Sequence, residues 1–147
     1  MTESVRTRRV VLLAVLLVAS ACGGVSPKAA IDRADRSAYV ALRTFQQAET
    51  GAWQTRQRWL SADRHIEINR RVSAAYQLIA DVANLGISLP PGSHFTVDDL
   101  AALAKLTQVV ADILQLTKGA PPAVQQQAAV LEGKADALKV AVAGGVR

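Results

Sequence analysis

Residues 95–119 read FTVDDLAALAKLTQVVADILQLTKG and carry the clearest local signal in the chain. Thr96 is a favourable helix N-cap, and Phe95 and Leu100 have the spacing of a hydrophobic staple around it. Leucine, isoleucine and valine then recur at steps of three and four until a closing glycine. The pattern predicts an amphipathic helix from Val97 to about Lys118. Because its apolar face is wide, we expect it to be the most buried helix.

Three other segments show the same three-four spacing of apolar residues. Serine precedes the first two as a helix cap, and paired prolines open the third. Gly86 is the expected stop of the second. The three predicted helices are Pro27 to about Leu60, Ala62 to Leu85, and Pro121 to Gly144.

The apolar residues of these three helices fall on seams, and the seam of the first helix is rich in alanine. Such seams, joined by short connections, predict an all-α fold, a small antiparallel bundle of about four helices. No glycine or proline marks the connection between the first two helices, so one long bent helix is an alternative, and Gly51 is a candidate break. The seams are Ile31, Ala34, Ala38, Ala41, Phe45, Ala48 and Ala52; Ile68, Val72, Ala75, Ile79 and Val82; and Val124, Ala128, Leu131, Ala135, Leu138 and Val142.

The N-terminus has the three-part plan of an export signal. A positive segment with three arginines precedes the apolar run VVLLAVLLV at residues 10–18, and small residues follow it. This run is too short for a membrane-spanning helix, which needs about 20 apolar residues. We therefore expect residues 1–21 to be a signal peptide, and retention as an uncleaved signal-anchor is the alternative.

Residues 19–22, Ala-Ser-Ala-Cys, resemble the lipobox of bacterial lipoproteins. The resemblance covers only residues 1–22 and implies that Cys22 is acylated and becomes the new N-terminus. It also implies export and lipid anchoring to a bacterial membrane, the outer membrane in a Gram-negative cell because Gly23 follows. Ordinary signal-peptidase cleavage, leaving a free Cys22, is the alternative. The resulting division is a signal at 1–21, an acylated cysteine and flexible tether at 22–27, and a helical domain at 28–147.

Composition limits the classes of function that the exported part can have. The chain has 147 residues, 17 of them basic and 12 acidic, and three of the basic and one of the acidic residues lie in the signal. The remainder carries a formal charge of +3. This mild excess does not require a nucleic-acid partner, which an exported protein would rarely meet.

The remainder contains no recognisable catalytic or metal-binding motif. His65 and His94 lack a histidine or cysteine at i+3 or i+4, and no Glu-x-x-His motif accompanies the helical carboxylates. We expect both histidines to lie on the surface and the carboxylate pairs, such as Asp32 and Asp35, to be solvated. The sequence thus predicts neither an enzyme nor a bound metal or cofactor.

One segment stands out because it combines both tryptophans with five basic residues. Tryptophan with arginine is typical of protein-binding hot spots and of surfaces that meet anionic headgroups. A solvated helix corner with arginine stems over the rings is the alternative. Trp59 falls on the predicted seam, so we expect Trp53 to be the exposed ring. We call the candidate residues the Trp/Arg corner: Trp53, Arg56, Arg58, Arg64, Arg70 and Arg71.

The sequence as a whole predicts a membrane-anchored envelope lipoprotein that acts as a helical binding or structural module. It would reach the membrane through the lipid on Cys22 and dock to an envelope protein. The alternative is a small ligand-binding protein or enzyme with a pocket inside the bundle. Self-association through an alanine-rich seam is a further alternative.

Overall fold

A computed structural model describes residues 26–55, 58–88 and 95–144, the side chains of residues 97–99 excepted. This part of the chain forms four α-helices and no strand, which confirms the all-α bundle. The predicted signal peptide and Cys22 lie outside the described residues. None of the described helices is long and apolar enough to cross a membrane. The helices are α1 (Pro27–Gln54), α2 (Ala62–Ser88), α3 (Val97–Leu116) and α4 (Pro122–Ala143).

The helices form a ring in which each packs on the next and α4 closes onto α1. Contacts between α1 and α2 show that these two helices run antiparallel. Ile31 near the start of α1 lies against Gly86 near the end of α2, and Glu49 near the end of α1 bonds His65 near the start of α2. The most extensive pairing is that of α1 with α4, the first and last helices of the chain.

The seams of α2 and α4 are confirmed in full, because every predicted residue in them is buried. The seam of α1 is broader than predicted. Ala34 and Ala48 are only partly buried, whereas Leu42 and Glu49, which the pattern passed over, are fully buried. A buried glutamate on an apolar seam needs a partner, and it is the first sign of a built polar site.

Local capping follows the sequence closely. The backbone N–H of Ala29 donates to the Ser26 hydroxyl at 3.2 Å, and that of Arg64 donates to the Ser61 hydroxyl at 3.2 Å. These bonds satisfy N–H groups that have no partner within the first turn. At the end of α3, Gly119 takes a positive φ of 77°, which favours glycine.

Two expectations about helix ends were wrong. Helix α1 ends at Gln54 rather than near Leu60, so α1 and α2 are separate helices, and Gly51 does not break α1. Helix α2 continues past Gly86, whose missing side chain allows close approach to Ile31.

Asp35 of α1 is also not solvated as predicted. Its Oδ1 is buried without a hydrogen-bond partner, and burial raises the pKa of its carboxyl to about 6, with the nearby Asp32 adding to the rise and Arg36 opposing it. The folded protein therefore binds a proton that the unfolded chain, with an ordinary pKa of 3.8, has released. Stability should fall as the pH rises through this window.

Replacing Asp35 with asparagine should raise the free energy of unfolding at about pH 7.5 by about 1 kcal/mol. The carboxyl is only half buried, so solvent screening keeps the gain small. At about pH 4, where the folded protein holds the proton, the variant should gain almost nothing. Urea unfolding at both pH values measures this, with Asp136→Asn on the exposed face of α4 as the control. Equal gains in both variants, or a gain at low pH, would contradict the argument.

Candidate functional site

The Trp/Arg corner lies where α1 gives way to α2, at the end of the bundle opposite Ser26. Helix α1 has 28 residues, so at 1.5 Å per residue it separates this corner from Ser26 by about 42 Å. Arg56 and His94 lie outside the described residues. Ser61 caps α2 seven residues after α1 ends at Gln54.

A buried carboxylate holds the corner together. The Glu49 carboxyl accepts a hydrogen bond from Nδ1 of His65 at 2.5 Å, with side-chain exposures of 1% and 20% respectively. The second carboxyl oxygen of Glu49 is buried and has no hydrogen-bond partner. His65 is thus the one described side chain that compensates this buried carboxyl group, and the contact links α1 to α2.

Trp53 and Asn69 complete the arrangement around the imidazole. The Trp53 and His65 rings stack with centroids 4.4 Å apart and planes 3° from parallel. The Asn69 amide nitrogen donates to the His65 carbonyl at 3.1 Å and lies 3.2 and 3.3 Å from the two ring nitrogens. We call Glu49, Trp53, His65 and Asn69 the clasp. It fixes the direction in which α2 leaves α1.

Two expectations about the corner were therefore wrong. His65 is a partly buried interhelical residue rather than a surface histidine. Trp53 is half buried against it rather than exposed, because the ring has a flat partner one turn into α2. Glu49 and Asn69 were missed by sequence reasoning. The signal for Glu49 was present, because it lies four residues after Phe45 and three before Ala52, on the seam itself.

The arginines of the corner separate into two groups. Arg71 pairs with Glu67 at 2.9 Å and with Asp112 of α3 at 3.1 Å, and Arg70 pairs with Glu67 at 3.1 Å. The positive charges of both arginines are therefore offset by carboxylates of this same chain. By contrast, neither Arg58 nor Arg64 has a carboxylate within 4.0 Å among the described residues.

Arg64 is nevertheless held in place. Its Nη1 donates to the Trp59 carbonyl at 2.7 Å, and its guanidinium lies 5.9 Å from the centre of the Trp59 ring. The Trp59 indole nitrogen is buried without a hydrogen-bond partner. Arg58 is exposed. The corner therefore presents two uncompensated arginines, one of which is fixed by the fold.

The described contacts of this site position side chains relative to one another. The Glu49 carboxyl orients the imidazole of His65 as it would in a catalytic pair, but the contacts around that ring come from Trp53 and Asn69 rather than from a hydroxyl or thiol. In the described part of the chain, no three His, Cys, Asp or Glu side chains group together as a metal site.

A second feature lies on the outer side of α1. An open groove of about 380 Å³ is lined by polar side chains and one glycine: Arg43, Gln46, Gln47, Thr50, Gly51 and Gln54. The Tyr76 hydroxyl of α2 donates to Gln46 at 3.2 Å and borders it. The groove is on the surface, whereas the bundle interior is filled by apolar side chains such as Leu42 and Phe45.

Comparison with protein-family models, with curated proteins and with solved structures finds no match for this chain.

Proposed function

We propose that this protein is a lipid-anchored bacterial envelope module, acylated at Cys22, that docks to an envelope protein through the Trp/Arg corner. The observation that carries the proposal is the position of the corner at the end of the bundle opposite Ser26. An acyl chain on Cys22 would hold the Ser26 end at the lipid. The corner would then be the part of the bundle furthest from its own anchor.

The lengths of chain involved favour a protein partner over the anchoring membrane. Cys22 and Ser26 are four residues apart, a span of at most about 14 Å when extended. Helix α1 adds about 42 Å beyond that point. Lipid headgroups of the anchoring membrane therefore meet the Ser26 end first, and a partner that projects from the envelope meets the corner.

The clasp also suits the corner to docking. Because the Glu49–His65 and Trp53–His65 contacts join α1 to α2, the two helix ends are held together before a partner arrives. A preordered surface loses less conformational entropy on binding. An anchor further raises the local concentration of the module, so that a weak contact becomes effective.

Cys22→Ser is expected to abolish lipidation and leave unprocessed precursor. The acyl acceptor is the cysteine thiol, and the chain has only this one cysteine. Metabolic labelling with an acyl-chain analogue, together with the mass of the purified protein, measures the loss. Ser26→Ala removes only the cap of α1 and should still be labelled. Normal cleavage of Cys22→Ser to a soluble protein would remove the anchor from the proposal.

Photo-crosslinking in cells tests the docking role separately. The probe belongs at Ala62, which is exposed beside the corner, and not at Trp53, which the clasp occupies. A matched probe at Gln126, exposed on α4, is the control. A discrete protein band from position 62 alone supports docking through the corner. Equal smears from both positions would contradict it.

A small-ligand role is the second candidate, and the polar groove on α1 is the observation that favours it. A ligand that binds only the folded protein raises its melting temperature, and the rise grows with the logarithm of the ligand concentration above Kd. Thermal melts against a panel of small polar metabolites would show such a shift. Filling the groove by Thr50→Trp should abolish it.

A further inference from the structure

We infer that the Trp/Arg corner recognises a carboxylate-bearing, acidic segment of its protein partner, and that Arg58 and Arg64 make the contact. This inference rests on the proposed docking role and specifies the chemistry of the partner. It starts from the way in which the fold compensates some of the corner's arginines and leaves others without an acid.

The first step is the distribution of charge. Arg70 and Arg71 share Glu67, and Arg71 also reaches Asp112, so the positive charge of each is already offset by a carboxylate. Arg58 and Arg64 have no such carboxylate among the described residues. Asp63 is exposed in the first turn of α2, a position that the helix dipole favours, and it is not within 4.0 Å of either arginine.

The second step is the orientation of Arg64. A guanidinium has five N–H donors in a planar fork, and in Arg64 one of its nitrogens is bonded to the Trp59 carbonyl. The centre of the Trp59 ring lies 5.9 Å from the guanidinium carbon. These two contacts restrict the guanidinium, and its remaining donors suit the bidentate geometry of arginine with a carboxylate.

The third step is the number of uncompensated positive charges in the corner, which favours an acidic peptide over an anionic membrane as the partner. Recognition of anionic headgroups typically uses clusters of four to eight basic residues, each worth about 1 kcal/mol near the surface. The described part of the corner offers two uncompensated arginines with the exposed Asp63 close by in sequence. Two arginines beside half-buried tryptophans suit single carboxylates along a peptide, in the manner of a protein-binding hot spot.

The experiment uses the full-length protein in detergent micelles and two synthetic peptides. The probe peptide contains glutamates separated by glycine, and its counterpart has glutamine at the same positions. Fluorescence anisotropy should show binding of the glutamate peptide, weakening as salt is raised, and no binding of the glutamine peptide. Arg58→Gln and Arg64→Gln should each weaken binding about tenfold, the loss expected for a charged hydrogen bond.

Arg70→Gln is the matched control, because it removes the same charge from an arginine already paired with Glu67, and it should weaken binding less than about twofold. Since Arg58 has no contact that supports the fold in the described residues, its variant tests recognition without a folding defect. Equal binding of both peptides, equal effects of Arg58→Gln and Arg70→Gln, or full competition by anionic phospholipid vesicles would each overturn the inference.

The outcomes also separate this inference from the docking role. A discrete crosslink from position 62, together with failure of the glutamate peptide to bind, overturns the carboxylate assignment and leaves docking intact. Binding of the glutamate peptide without any crosslinked partner supports the carboxylate chemistry and contradicts docking in the cell.

Discussion

Replacing His65 with alanine is expected to lower the free energy of unfolding by about 3 kcal/mol. The substitution removes the hydrogen-bond partner of a fully buried carboxyl group, and an uncompensated buried charge typically costs about 3–5 kcal/mol. The estimate lies at the low end because the His65 side chain is one-fifth exposed, so water can partly replace it. Urea unfolding followed by circular dichroism measures the change.

Glu49 provides the control for that experiment. Replacing it with leucine removes the buried charge together with its need for a partner, so Glu49→Leu should cost less than His65→Ala. In the double variant Glu49→Leu/His65→Ala, most of the cost of losing His65 should disappear. A double-mutant cycle isolates this coupling, for which we expect about 2 kcal/mol. If the losses of stability in the two single variants simply added in the double variant, Glu49 and His65 would not be energetically coupled, contrary to what their 2.5 Å contact indicates.

The same cycle bears on the corner as a docking surface. Trp53 stacks on His65, so its fluorescence reports whether the clasp is closed. His65→Ala should increase the quenching of Trp53 by acrylamide, with Trp59 replaced by phenylalanine to leave one emitter. Unchanged quenching would mean that the ring is held by contacts other than the clasp.

Much of the fold could be predicted from sequence because helix periodicity is local. The buried residues of α2 and α4 follow from three-four spacing alone, as do the serine caps of α1 and α2. The end of α1 could not be placed because neither glycine nor proline marks it. The pattern of helical residues continues through the sequence to Leu60, whereas α1 ends at Gln54.

The candidate site was less predictable because its contacts join residues that are distant in sequence. Sixteen residues separate Glu49 from His65, so no helical spacing relates them. The division of the arginines into those with and those without a carboxylate partner also depends on contacts between residues that are distant in sequence. The Glu67–Arg71 pair follows from i,i+4 spacing, but the contact of Arg71 with Asp112 depends on how α2 packs on α3. The composition of the sequence was enough to find the corner, but the tertiary structure was needed to show which of its arginines are paired with a carboxylate.

The choice of partner for each helix also depends on tertiary structure, and α1 pairs most extensively with α4. We expect the largest loss of stability in the core from truncating a buried side chain of α1. Phe45 of α1 has no exposed surface and is among the largest fully buried side chains. It lies on the helix that pairs most extensively with α4. Truncation there removes apolar burial and leaves a cavity in the core.

Phe45→Ala should therefore cost about 3–5 kcal/mol, enough to unfold a domain of ordinary stability. Phe45→Leu, which retains most of the volume, should cost less than half as much. Val40→Ala is the control on the same helix, since Val40 is 60% exposed, and should change stability by no more than about 0.5 kcal/mol. Leu106→Ala in α3 is the comparison, because Leu106 is similarly buried but smaller than Phe45. If Phe45→Ala lowered the free energy of unfolding by no more than Leu106→Ala does, the packing of α4 on α1 would not be the centre of the core. The wide apolar face of α3 would then have been the better guide to stability.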